Sequence, residues 1–473
     1  MAARMTFIAP SRVAALRRLA FAAAVPAASR ATAAPGSVLD AAAFVARAAG
    51  MREGEAAAGS LALRFAISAL LLSATVLQSI GINFGSYSLN AALVGVYGCL
   101  GVALLSGALA LSRRRLLLYV ACLTVALASL LVNANFARAD RSSLASYLLV
   151  VVMYLPFVFT LGGDAARGSA PTVRWALRHF SSIALFCAFA GILQFFAQFV
   201  IHADWLFNFS ARLPTILQGP GGYNTVIPVG SWYKSNGFFF REPSGFSFIM
   251  ALALVIEWEI GGRDAEPRRR WLRLGAFALA LLLTYSGTGL LGLLIALVVP
   301  LGWKTLQRFV LLALGGGVLL VVLGDALNLS FTLDRIQEFG SERSSAYIRY
   351  VAPARMVADT LELESWTPWL GQGPGSIFRQ TLSYEFHDPT WAKLMVEYGL
   401  AGSALFVALF ATMLLGGGLP APVAAALFAY WIGMGGHLLS PEVNFMTLAL
   451  AGLLPAARAE LSRAERVRIE RQP

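Results

Sequence analysis

Three observations on the sequence predict an all-α, polytopic membrane fold of about twelve transmembrane helices. First, the 473-residue chain is 58% hydrophobic and 13% charged, with a mean hydropathy of +0.68. A soluble domain carries about 25% charged residues. Second, apolar runs recur along the chain at about 20 residues each, the length a helix needs to cross a bilayer. Third, these runs show no alternation at period 2, so they read as helices and not as barrel strands.

The elements follow in order. Residues 1–60 are Ala-rich with few acids, and read as a disordered or overextended N-terminal leader. Residues 61–325 hold spans one to nine, with an outer loop at 202–243. Two of these spans, 274–286 and 288–302, are short and separated by Ser286-Gly287-Thr288-Gly289. They form either a tight hairpin or one broken helix, and the ninth span is placed at 309–325. A large outer loop covers 326–390, the last three spans lie within 391–457, and 458–473 is a basic tail.

Lys and Arg counts orient the chain. One set of loops carries Arg113-Arg114-Arg115, Arg167, Arg174, Arg178, the cluster Arg263 to Arg273, Lys304 and Arg308. The short loops of the other set carry only Arg138 and Arg141. The first set is therefore cytoplasmic, as are both termini, and the two long loops face outward. The net charge of +12 reflects this asymmetry and affinity for anionic lipid. A nucleic-acid partner is disfavoured, because the basic residues are scattered with no aromatic stacking surface beside them. Cys99, Cys122 and Cys187 fall inside spans and read as small core residues.

The chemistry concentrates on the outer loops. In His387-Asp388-Pro389-Thr390-Trp391, Asp at the N-cap and Pro at the first helical position signal a helix start. Its positive end would meet an anionic headgroup, with the titratable His387 beside it. Phe240-Arg241-Glu242-Pro243-Ser244 repeats that grammar. Arg241 can fork onto a phosphate, and Glu242 can orient it or act as a base. Residues 341–363 read as a helix kinked at Pro353. Arg343, Arg349 and Arg355 are candidate diphosphate ligands on it, with Arg343, Tyr347 and Arg355 near one face. Gly371-Gln372-Gly373-Pro374-Gly375 is a turn expected to free backbone N–H groups, though not a nucleotide loop. Trp391, Tyr384 and Trp232 are candidate sugar platforms. The outer loops lack an Asp-x-Asp pair and zinc-type spacing, so the expectation is chemistry without metal or cofactor, its charge supplied by arginine and helix dipoles.

Three motifs resemble the bacterial O-antigen polymerase and ligase superfamily: FFREPSGFS (239–247), TYSGTGLLG (284–292), and GQGPG followed by HDPTWAKLMVEYGLAG (371–402). The resemblance implies a GT-C-like fold of about twelve helices capped by a helical periplasmic loop. It implies a glycosyltransferase in the bacterial inner membrane that acts on undecaprenyl-diphosphate-linked oligosaccharide at the periplasmic face. It also implies roles for His387 and Arg241, and partnership with a chain-length regulator and a flippase. Gly287 stands where ligases usually carry arginine after the serine. The Wzy-type polymerase is therefore favoured over the ligase, which transfers glycan to lipid A–core. A flippase or transporter, the rival from another class, would place charges such as Arg64, Glu257 and Glu259 along a mid-span path.

Overall fold

Helices dominate the described residues. The computed structural model describes residues 60–84, 87–135, 142–162, 173–201, 204–218, 222–260, 267–298, 341–342, 344–362, 365–434 and 437–454. The leader up to residue 59, the ninth span at 309–325, loop residues 326–340 and the tail lie outside them.

Helix α1 is Ser60–Ala74. A hairpin of β1 (Gly81–Phe84) and β2 (Tyr87–Asn90) leads into α2 (Ala91–Leu105). Strand β3 (Leu109–Leu111) precedes α3 (Arg113–Asn135) and α4 (Leu144–Tyr154), and pairs antiparallel with β4 (Phe159–Leu161). Helix α5 is Val173–Ala197. The 202–243 loop holds short 3-10 turns and a minimal ladder of β5 (Pro228–Val229) on β6 (Trp232–Tyr233). Then come α6 (Pro243–Ile260), α7 (Pro267–Leu282) and α8 (Gly287–Val298). Beyond the undescribed stretch lie α9 (Ala352–Thr360), α10 (Thr367–Leu370), α11 (Thr390–Gly416), α12 (Ala421–Ala429) and α13 (Pro441–Thr447).

Among the described residues, α3, α5, α6 and α11 are long and apolar enough to cross a membrane. The other apolar helices are 10–17 residues long, and the chain punctuates several of them. Gly107, at φ +72, ends the apolar run that holds α2, and Pro156 turns the end of α4 into a 3-10 segment. The 274–302 pair is two helices, broken at Tyr285 with φ +47, and each packs on α6. Gly289 permits that approach: a Cβ there would lie 2.4 Å from the Ser247 carbonyl oxygen. The resembling stretch 284–292 thus has a packing role.

Helix α6 is the hub. It contacts α5, α7, α8 and α12, and 72% of its apolar window is buried, against 28% for α3. Helix α11 lies along α3. At one end of this pair, Asn133 Nδ2 donates to the Gly371 carbonyl at 3.1 Å. At the other, Arg115 lies beside Gly416 and donates to the carbonyls of Phe159 (2.8 Å) and Gly452 (2.5 Å). Arg115, expected from its loop to be a topology signal, is thus buried and satisfies the carbonyl end of the last helix.

The predicted 341–363 helix contains a π turn at Tyr347–Val351 before α9. Pro353 explains it. Proline lacks the N–H that would bond the carbonyl four residues back, so the turn widens and Ala352 N donates to Tyr347 O.

Candidate active site

A cavity of about 860 Å³ opens between the start of α6, the start of α11 and the 437–443 stretch entering α13. Arg241, Glu242, Arg349 and His387 all line it. Four residues from three distant parts of the chain thus share one space.

The approach to Arg241 is backbone under tension. Gly237 (φ +64) and the non-glycine Phe238 (φ +65) both adopt left-handed conformations. Asn236 Oδ1 takes the Phe238 N–H at 3.1 Å, and Asn224 Nδ2 donates to the Phe238 carbonyl at 3.0 Å. Such strain persists only where the surroundings over-determine it. Here it turns the chain so that Arg241 is exposed on the cavity and Glu242 immediately precedes α6.

Glu242 does not orient Arg241, contrary to the sequence expectation. Its Oε2 pairs with Arg349 Nη2 at 2.7 Å and accepts from Ser244 Oγ at 3.0 Å. Neighbouring side chains at a helix start point in different directions, whereas Arg349 reaches Glu242 from the separate π turn at Tyr347–Val351. Burial pushes the Glu242 carboxyl up, but Arg349, the Ser244 hydroxyl, His387 and Arg241 together outweigh it and hold it below the usual range. It stays ionised and engaged.

His387 N–H donates to the Ile348 carbonyl at 3.0 Å, which ties the histidine to the turn carrying Arg349. Its proton affinity falls below that of an ordinary histidine, through burial first and then the Arg349 and His437 charges. Among the described residues the imidazole makes no hydrogen bond. A neutral ring facing a cavity can accept a proton from a substrate hydroxyl.

Asp388 is not a helix cap. Helix α11 starts at Thr390 with Pro389 in the cap position, and no side chain caps it. The Asp388 Oδ1 instead meets His437 Nδ1 at 2.9 Å, and Oδ2 lies 3.9 Å from Lys393 Nζ. Lys393 Nζ also pairs with Glu397 Oε1 at 2.7 Å, with both side chains almost fully buried. Burial raises the Asp388 carboxyl, but the His437 and Lys393 contacts overcome this and hold it low. Burial lowers His437, and the hydrogen bonds and charge of Asp388 more than reverse that. Sequence reasoning missed His437 and Lys393. A signal was present: Ser440-Pro441-Glu442 repeats the proline-led helix start three residues after His437.

The Gly-rich turn also differs from expectation. Its N–H groups are not free: Gln372 N donates to Val396 O at 2.7 Å and Gly373 N to Glu397 O at 3.1 Å. Those carbonyls are exposed because α11 breaks at Gly399 (φ +62, ψ −164). The turn and the VEYGLAG segment are two halves of one joint that sets the pitch of Lys393 and Glu397.

Other predicted site residues lie elsewhere. Arg355 pairs with Glu342 at 3.2 Å and stacks on Tyr384 at 4.4 Å, and neither residue lines the cavity. Trp232 packs on Phe195 and Phe199, and Trp391 against Met356, Ile377 and Val396. None of Trp232, Tyr384 and Trp391 lines this cavity. Arg343 lies outside the described residues. Of the charges considered for a transport path, Glu257 is closed off by Arg273 Nε (3.1 Å) and Ser181 Oγ (2.8 Å), and Arg64 lies over Trp175.

No curated protein and no solved structure matches the chain. Residues 66–373, more than half of it, match the WcaD colanic acid polymerase family. That stretch contains Arg241, Glu242 and Arg349, two walls of the cavity just described. The chain belongs to the WcaD family of polysaccharide polymerases.

Proposed function

We propose that the chain transfers a growing glycan from undecaprenyl diphosphate to a sugar hydroxyl of an incoming lipid-linked repeat unit, at the periplasmic face of the bacterial inner membrane. The observation that carries this reading is the convergence of Arg241, Glu242, Arg349 and His387 on one cavity. Arg241 and Arg349 hold the donor diphosphate, with Glu242 fixing Arg349. His387 takes the proton of the acceptor hydroxyl. The acceptor oxygen bonds to the sugar C1, the C1–O bond to phosphate breaks, and its electron pair leaves with the diphosphate. The arginines stabilise that charge as it develops.

The outward orientation is supported by α11, which starts at the cavity and ends beside Arg115, in the loop read as cytoplasmic. The partition of roles is supported by the engagement of Glu242, which leaves His387 as the freer base. The chain-length regulator and flippase remain expected partners on the ground of the resemblance alone.

The test is elongation of extracted lipid-linked repeat units by purified protein, with His387→Ala and Arg349→Ala compared at matched protein levels. Each variant is expected to lose about 100-fold or more in rate. Normal elongation by both would reject the site. A deletion strain that accumulates long lipid-linked chains, and not single units, would instead establish a ligase.

A further inference from the structure

The cavity holds two histidines in opposite environments, and the polymerase mechanism so far uses only one. Their ring centroids are 6.5 Å apart and their planes 24° from parallel. His437 lines the cavity with 42% of its side chain exposed, and its Nδ1 faces both the carboxylate (2.9 Å) and the backbone carbonyl (3.2 Å) of Asp388. Both partners are acceptors, so Nδ1 carries a proton and the ring is oriented by Asp388. The opposite nitrogen, Nε2, has no partner among the described residues. A histidine held this way by a carboxylate is built to present Nε2 to a reacting group.

The charges around it argue against a plain anion site. Asp388 and Glu397 offset His437 and Lys393, and Glu442 on α13, which also lines the cavity, adds a further carboxyl that interacts electrostatically with both His437 and Arg241. This wall has no surplus of cations, unlike the Arg241 and Arg349 wall. It suits a proton donor better than a counter-ion.

We propose that His437, positioned by Asp388, is the general acid of the transfer, donating its Nε2 proton to the phosphate oxygen that departs from the sugar C1. This rests on the polymerase reading. The balance is complete. The acceptor hydroxyl proton goes to His387, the His437 proton goes to the leaving oxygen together with the C1–O electron pair, and the glycosidic bond forms. His387 then returns a proton to solvent and His437 regains one. Two titrating groups whose surroundings drive them apart are the usual division into base and acid. Here His387 is lowered by burial and Arg349, and His437 is raised by Asp388.

The experiment is a pH–rate profile of elongation with extracted lipid-linked repeat units, for the wild type, His437→Gln and Asp388→Asn. Wild type is expected to give a bell. His437→Gln loses about 100-fold at the optimum and loses the alkaline limb while keeping the acid limb. Asp388→Asn, a positioning variant, keeps the alkaline limb but moves it to lower pH, because His437 no longer has its anion. Titration of the diphosphate is common to all variants and cancels. A uniform fall in rate with unchanged profile shape in both variants overturns the acid role and leaves the polymerase reading standing. A wild type that elongates nothing overturns the polymerase reading itself. A second readout needs no turnover. The chain has four histidines, so ring-labelled protein allows each to be titrated by NMR. His437 is expected to titrate above His387 and to drop in Asp388→Asn; the reverse order overturns the proposal.

Discussion

Replacing Gly399 with alanine tests the joint that holds the cavity floor. Gly399 sits at φ +62, ψ −164, a region essentially reserved for glycine. Alanine there costs about 1–3 kcal/mol in backbone strain. The new Cβ would also lie 2.4 Å from the carbonyl carbon of Trp369 and 2.7 Å from the Leu370 nitrogen, backbone atoms that cannot rotate away. Overpacking of this kind costs about 1–3 kcal/mol more. The sum, roughly 2–6 kcal/mol, is a large share of a typical stability of about 5–15 kcal/mol. Relief requires the 371–375 turn to lift from α11 and release the Val396 and Glu397 carbonyls. Gly275 is the control: it lies in α7, and a methyl group added to it would meet nothing within 4 Å, so alanine there is neutral or gains about 0.5–1 kcal/mol. Thermal unfolding in detergent, followed by tryptophan fluorescence, measures both. If Gly399→Ala melts with Gly275→Ala, the reasoning about the joint is wrong.

Other outcomes follow from the charges. Lys393→Met leaves Glu397 buried without its cation and should cost about 3–5 kcal/mol, whereas Lys393→Met with Glu397→Leu should recover most of it; equal melting of single and double variants would refute the pairing. Arg241→Lys keeps the charge but loses the fork, so elongation should fall while the melting point stays put; full activity would reduce Arg241 to a point charge. Glu242 has a lowered proton affinity in the folded state. The stability advantage of wild type over Glu242→Gln should therefore be present above about pH 4.3 and vanish as pH falls further, which melting curves from pH 3 to 7 can check.

Much of the site was legible because its signals are local. Proline after a charged pair marks a helix start wherever it occurs, so Arg241-Glu242-Pro243 and His387-Asp388-Pro389 could be placed at helix beginnings from sequence. Hydropathy likewise located the apolar helices, since burial in lipid depends on composition along one segment. It overestimated their length where Gly107 and Pro156 interrupt the run.

Partner choice was not legible. Glu242 with Arg349, Asp388 with His437, and the Gly371 turn with the break at Gly399 each join segments far apart in the chain. Arg355 and Arg349 look alike in sequence and sit on one helical segment. Arg349 lines the cavity and pairs with Glu242, while Arg355 pairs with Glu342 outside it. Periodicity, turn chemistry and charge asymmetry are properties of neighbours along the chain. Which cation meets which carboxylate depends on how the helices pack, and only the folded arrangement decides that.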